Sequence, residues 1–493
     1  MVTILEDRHR KAQAASAAPA SFGAALSALA GAVCLIASFI APNHAAAQTT
    51  TGCVLAPSPD DPPESLPDDV CDIHSNSEEN FDALAWQIFK FLVWPASNTP
   101  RGKPDTARKV TEMDGPRTFE TLKADWETFQ PLAEPPTPWD GPFPRLATPC
   151  ANHPEIRPLD LVLASFAEFG NLREVVGPQL SYVLIAQNRT YVRYLAAYNR
   201  TVFDKIIQGR LYDADIVAGI IPPASGQPVP DVAREQSGAL TVKSAWIEIT
   251  GPSREQIDSS RFYVRHDAWL QDPKDQTCRK ASVALVGLHF VYKTPSRPQW
   301  IWSTFEHVDN VPDGGEQSRI GYTFNNGDLG APMGDNAKPD YQIPLPPGAQ
   351  GPGDPPQPYQ VERLQRITPA AQTANQAWQS ALSNRNSVWQ YYKLVLTQWP
   401  FTPFAPDRDA GGVNPLPNCA QRGGQATANT TLETFLQTTA DCRAGLTCMG
   451  CHNRARRTDF VWSIPMNPYK PPDSRFATRQ DAIKELRDVL QGR

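Results

Sequence analysis

Residues 281–294 read ASVALVGLHFVYKT, and the way this run fails to alternate decides the fold class. A half-buried strand alternates apolar with polar residues. This run is apolar on both faces, the mark of a strand covered on both sides. Strand signals surround it. GALTVKSAWIEI (238–249) alternates, RFYVRHDAWL (261–270) alternates weakly, and QWIWSTFEHV (299–308) follows the turn PSRP (295–298). Helical patterns lie on either side. NFDALAWQIFKFLVWPA (80–96) places Leu84, Ile88, Phe91 and Leu92 on one face and ends at Pro95. DLVLASFAEFGNLREVVG (160–177) reads as helix, and residues 180–208 mix both patterns. In NQAWQSALSNRNSVWQYYKLVLTQWP (375–400), Trp378, Leu382, Trp389, Tyr392, Leu396 and Trp399 recur at helical spacing, and TTLETFLQTTADC (430–442) reads as a short helix. The expectation is an α+β fold: a large mixed domain with a central β-rich region and flanking helices, plus a small C-terminal helical and loop module.

The chain has 493 residues and a formal net charge of −6, which argues against a nucleic-acid binder. Its 49 prolines, about twice average usage, predict long loops over a core. The Gly/Pro-rich residues 309–361 read as a surface excursion. Residues 1–47 have the pattern of a signal peptide: Arg8, Arg10 and Lys11, an apolar run from Ser21 to Ile40, and Ala45–Ala47 before a cleavage point. An uncleaved membrane anchor is the alternative for that run. The expected divisions are a signal at 1–47, a Pro/Asp-rich tether at 48–78, the large α+β region at 79–410 and a module at 411–493. The expected compartment is the periplasm or its equivalent outside a bacterial cytoplasm. There, Cys53, Cys71, Cys150, Cys278, Cys419 and Cys442 read as up to three disulfides. Cys53 with Cys71 and Cys419 with Cys442 need the smallest loops.

The sharpest chemistry is TCMGCHNRARR at 447–457. A redox dithiol of this spacing needs a βαβ context, and a zinc site needs a second Cys/His pair at short spacing; neither is present in the pattern. Attachment of haem c fits both spacing and compartment. Cys448 and Cys451 would bond the macrocycle covalently and His452 would stand beneath the iron as proximal ligand. Arg454, Arg456 and Arg457 are candidates to pair with the propionates. For the distal position the candidates are Met466, then His307 and His289. His289 is read as sharing a face with Val283, Leu285 and Val291, where a hydrogen-bonded core role is the alternative. Trp300 and Trp302 either pack near the haem or fill the core. Glu306, His307 and Asp309, where a buried strand gives way to a loop, are the candidates for catalysis.

TCMGCHN followed by TDFVWSI, with PSRPQWIWSTFEHVDNVP, VGLHFVYKT and NSVWQYYKLVLTQWP, resembles a family of exported bacterial cytochrome c proteins from about Asn80 onward. The resemblance implies covalent haem through Cys448 and Cys451 with His452 as proximal ligand. It carries no substrate and no distal ligand. A single motif implies one haem and one iron. The expected function is electron transfer with an unidentified redox partner. The alternatives are a haem-dependent oxidoreductase with an open axial position and a haem-based sensor. The extra chain beyond a simple carrier suggests a docking surface or a pocket for a small-molecule substrate.

Overall fold

The long apolar strand organises the whole sheet. In the computed structural model it is β6, Cys278–Tyr292, and β4, Leu240–Glu248, pairs antiparallel along one of its edges. The other edge is shared by β5, Val264–Gln271, on the first half and β7, Ile301–His307, on the second. Outward from β4 lie β3, Arg193–Tyr198, and the two-residue β1, Lys123–Ala124. β2, Val162–Leu163, adds parallel to β5, and β8, Tyr392–Gln398, adds antiparallel to β7. The result is a mixed α/β architecture on a curled central sheet. The described residues exclude 1–55, 143, 145–148, 166–182, 221–234, 252–256, 273–276, 314–320, 328–355, 402–425, 438–446, 453–454, 456–457, 480, 483 and 486–493. The signal-peptide reading, Arg454, Arg456, Arg457, Cys53, Cys419 and Cys442 therefore lie outside them. Among the described residues no helix is long and apolar enough to cross a membrane.

One face of the sheet is closed by two helices. α1, Glu78–Val93, starts at Ser77, whose hydroxyl accepts from the Asn80 amide, and it stops ahead of Pro95 as its sequence requires. A four-residue α2, Asp125–Thr128, follows β1; α3, Arg200–Gln208, and α4, Ala214–Ile220, follow β3. α5, Pro369–Ser383, has Thr368 as its cap and lies beside α1. Trp86 stacks on Trp378 at 5.3 Å, Phe89 on Phe305 at 4.3 Å, and Phe81 on Trp399 at 3.9 Å. Such pairs add about 0.5–1.5 kcal/mol each beyond the area they bury.

Five expectations need correction. The stretch 160–177, read as helix, holds strand β2 at Val162–Leu163, its residues 166–177 lying outside the described ones, and the 309–361 excursion buries Val311, Phe324 and Val361 in an apolar cluster instead of lying wholly on the surface. The helical reading of 375–400 holds only to Ser383; Tyr392–Gln398 is strand β8. YKLVLTQ fills the free edge of β7, and tertiary pairing overrides an aromatic spacing that fits either element. TTLETFLQTTADC yields a single 3-10 turn at Thr434–Leu436 among its described residues. Finally, β6 does not keep Val283 and Leu285 on the face of His289. The register against β4 shifts between Ala245 and Trp246, which pair with Gly287 and Leu285, so the bulge at Val286 reverses the alternation. Val283 and Leu285 join the helix-covered core, while Gly287, His289 and Val291 point to the opposite face.

The Pro/Asp-rich stretch is bonded to the body wherever it is described. The Lys90 ammonium donates to the Ser58 and Asp61 carbonyls, and Tyr292 donates to the Pro67 carbonyl at 2.6 Å. Cys150 is joined to Cys278, tying the segment before β2 to the start of β6. Cys71 is also disulfide-bonded. Residues Thr49–Arg493 form one compact unit, so the C-terminal stretch packs into the same body as the sheet.

Candidate functional site

The second face of the sheet is covered by chain from beyond β8. Asn429 donates to Thr304 Oγ1 at 2.8 Å and to the Phe305 carbonyl at 3.0 Å, while Thr430 donates twice to the Glu306 carboxylate. Glu306 is itself paired with Arg363, and both are buried. Gly287 makes this approach possible: a Cβ there would lie 2.2 Å from Thr431 Oγ1. Glu306 thus acts as a clamp between sheet and cover.

On that cover sits α6, Cys448–His452. Side chains three and four apart share a helix face, so Cys448, Cys451 and His452 project together. Thr447 accepts from two amides, its hydroxyl from Gly450 at 3.0 Å and its carbonyl from Cys451 at 3.0 Å. Gln398 at the end of β8 accepts from the Cys448 amide at 2.9 Å and fixes the helix to the sheet. Both cysteines are thiols. Burial, reinforced by the Glu433 charge, pushes the Cys448 thiol well up. Cys448 and Met449 pack with Trp300, Trp302, Phe460, Val461 and Ile464 in one apolar cluster.

His452 Nδ1 lies 2.7 Å from the Phe460 carbonyl. A carbonyl can only accept, so Nδ1 carries the proton and Nε2 keeps its lone pair. The turn that presents this carbonyl is strained: Asp459 has φ 51° and Phe460 φ 66°. A left-handed conformation costs a non-glycine residue about 1–2 kcal/mol. The turn is held by the buried Lys293–Asp459 ion pair, by the Glu235 amide on the Asp459 carboxylate at 2.7 Å, and by Trp300 Nε1 on the Asp459 carbonyl at 2.9 Å.

Facing this helix, the sheet presents Trp302, whose ring lies 5.7 Å from that of His452, and His289. Burial, with the His452 and Lys243 charges adding, pushes His289 down to about 3. Burial lowers His452 as well, against the Phe460 hydrogen bond. Both rings are therefore neutral at neutral pH, yet both retain accessible surface, as do Cys451, Thr241, Lys243 and Val291. Among the described residues, His289 Nδ1, Trp302 Nε1 and Thr241 Oγ1 are buried atoms without hydrogen-bond partners.

The other sequence candidates are placed differently. Met466 is buried in the short α7, Ser463–Met466. Both ring nitrogens of His307 are engaged, Nε2 with the Arg261 carbonyl at 3.0 Å and Nδ1 with the Asp309 amide at 3.1 Å, and the ring stacks on Phe262 at 3.6 Å. Asp309 forms a two-point pair with Arg261. His307 and Asp309 thus share one network with Arg261, while Glu306 belongs to the clamp with Arg363 and Thr430. Sequence reading missed Gln398 and Phe460, which contact the motif, and Asp459 and Lys293, which hold the turn behind it. Among the described residues no group of three or more His, Cys, Asp or Glu side chains is arranged to hold a metal ion. Comparison with family models, curated proteins and solved structures finds no match.

Proposed function

We propose that this chain is a c-type haem protein that transfers single electrons outside the bacterial cytoplasm. One observation carries the reading: the imidazole of His452, with Nδ1 spoken for by Phe460, is partly accessible and stands near the equally accessible His289. The residues present suit the group. Cys448 and Cys451 would hold it, each thiol adding across a vinyl double bond, with sulfur bonded to one carbon and the thiol hydrogen ending on the other. No oxidant is consumed. His452 would supply the proximal nitrogen. When bound, the haem supplies a one-electron couple whose potential is set by its ligands, burial and hydrogen bonding.

His289 is the distal ligand we favour over Met466 and His307. It is neutral, its Nδ1 has no partner, and it stands near enough to His452 for their charges to oppose one another. His307 has no nitrogen to offer. The apolar wall of Trp300, Trp302 and Phe460 keeps water from the proximal side. The α+β body with the haem-bearing helix docked on one face of its sheet is the corresponding architecture.

The test is the exported protein itself. It should be coloured, with a mass exceeding that of the polypeptide by one haem, and its reduced spectrum should be unmoved by carbon monoxide. His289→Ala should open the iron to carbon monoxide, whereas Met466→Ala should not. A colourless protein of bare polypeptide mass would overturn the haem reading. A wild-type spectrum that shifts with carbon monoxide would keep the haem and favour the oxidoreductase or sensor alternative.

A further inference from the structure

We propose that the buried Lys293–Asp459 ion pair is a positioning device for the proximal histidine, holding the strained turn whose Phe460 carbonyl receives the His452 Nδ1 proton. The inference rests on the haem reading above and concerns how this chain sets the properties of that site. The chain of contacts is short and continuous. Lys293 directly follows β6, and its backbone amide is anchored to the Ala239 carbonyl at 3.0 Å, so its ammonium projects from the rigid sheet. That ammonium meets the Asp459 carboxylate, with both residues buried at 4% and 6% exposure. The next residue is Phe460, and its carbonyl lies 2.7 Å from His452 Nδ1.

Two consecutive non-glycine residues with positive φ persist only where their surroundings over-determine them. Here the surroundings come from two directions. Locally, the Phe460 amide donates to Ala455 and the Thr458 hydroxyl bonds the Ala455 and Val461 carbonyls. From the sheet side come Lys293, the Glu235 amide and the Trp300 indole; Trp300 also has positive φ, at 73°. Beside them stands Glu235, neither of whose carboxyl oxygens has a hydrogen-bond partner; burial, with Asp459 adding, pushes it well above the usual range.

The consequence is chemical. A hydrogen bond from Nδ1–H to a fixed acceptor makes the imidazole a stronger donor to the metal and favours the ferric state. Releasing the turn lets the carbonyl drift, weakens that donation and favours the ferrous state. Lys293 is therefore a positioning residue: it acts on the iron through Asp459, Phe460 and His452 without touching the reacting group.

The test uses exported holoprotein. Asp459→Asn keeps a residue that tolerates positive φ but removes the charge; Lys293→Gln removes the other partner. Each should retain covalent haem and raise the midpoint potential, with a tenfold change in ferrous-over-ferric preference corresponding to about 59 mV. Lys293→Arg should restore the wild-type potential. In the wild type, the Nδ1 proton of His452 should exchange slowly with heavy water. Haem-bearing variants at the wild-type potential, or rapid exchange of that proton in the wild type, would overturn the proposal while leaving the haem reading intact. Where Asp459→Asn does not accumulate, Lys293→Gln and the exchange measurement decide it. A wild-type protein without haem overturns both.

Discussion

The two faces of the central sheet are built to different standards. The helix-covered face is a finished aromatic core in which Trp86, Phe89, Phe305 and Trp378 pack ring against ring with almost no accessible surface. The opposite face, one residue over along the same strands, presents Thr241, Lys243, His289 and Val291, all partly accessible in the middle of an eight-stranded sheet. Unpartnered polar atoms do not separate the two, since Trp86, Trp389 and Ser303 leave theirs unpaired on the helix side. Partial accessibility does. That difference is the support for placing the proposed bound group on the partly open face.

The sharpest way to break this comparison is to damage the finished face. Trp86 is fully buried, stacked on Trp378 and edge-on to Phe305. Trp86→Ala should cost about 3–5 kcal/mol in chemical denaturation, as large-to-small changes at packed aromatic sites do. His289→Ala on the open face should cost much less, because part of that ring's surface is already accessible. Equal losses would show that the two faces are packed alike.

A second, smaller effect probes the seam between sheet and cover. Gly287→Ala places a methyl where Thr431 Oγ1 and Leu432 now sit. Relieving that overlap means moving residues 429–432 off the sheet or straining the cover, at about 1–3 kcal/mol by thermal or chemical denaturation. The proposed covalent haem attachment should persist, because α6 is tied independently through Gln398. An Ala variant as stable as wild type would mean that the cover is loosely held.

Much of the helix-covered face was legible in the sequence. Helix α1 announces itself by its periodicity and Pro95, and β4 to β7 by alternation or its absence, because these patterns are local consequences of burial. What was not legible depends on register. The bulge at Val286 decides that His289 stands apart from Val283 and Leu285, and nothing in VALVGLH shows where strand β4 will slip. The ambiguity of Trp389, Tyr392 and Leu396 has the same origin, since aromatic spacing cannot choose between helix and strand until a free sheet edge is available. At the site, the spacing of Cys448, Cys451 and His452 was readable because one helical turn sets it. The acceptor for His452 was not, since Phe460 serves through its backbone, and Lys293 lies more than a hundred residues upstream.

The smallest expected effect compares one histidine from each face. His307 closes the helix-covered side and His289 the open one, and burial pushes each down to about 3 from an ordinary 6.5. A depressed histidine is neutral in the folded chain while the unfolded chain takes up a proton near 6.5. The contribution to stability is therefore complete above that pH and declines as pH falls toward 3. Over the first unit below 6.5 one such group should remove roughly 1 kcal/mol. His307→Gln keeps a donor and an acceptor for Asp309 and Arg261 but cannot titrate, so it should flatten the stability profile between pH 6.5 and 5.5 by about that amount. Denaturation profiles of wild type and variant that run parallel through this window would show that the ring is protonated in place.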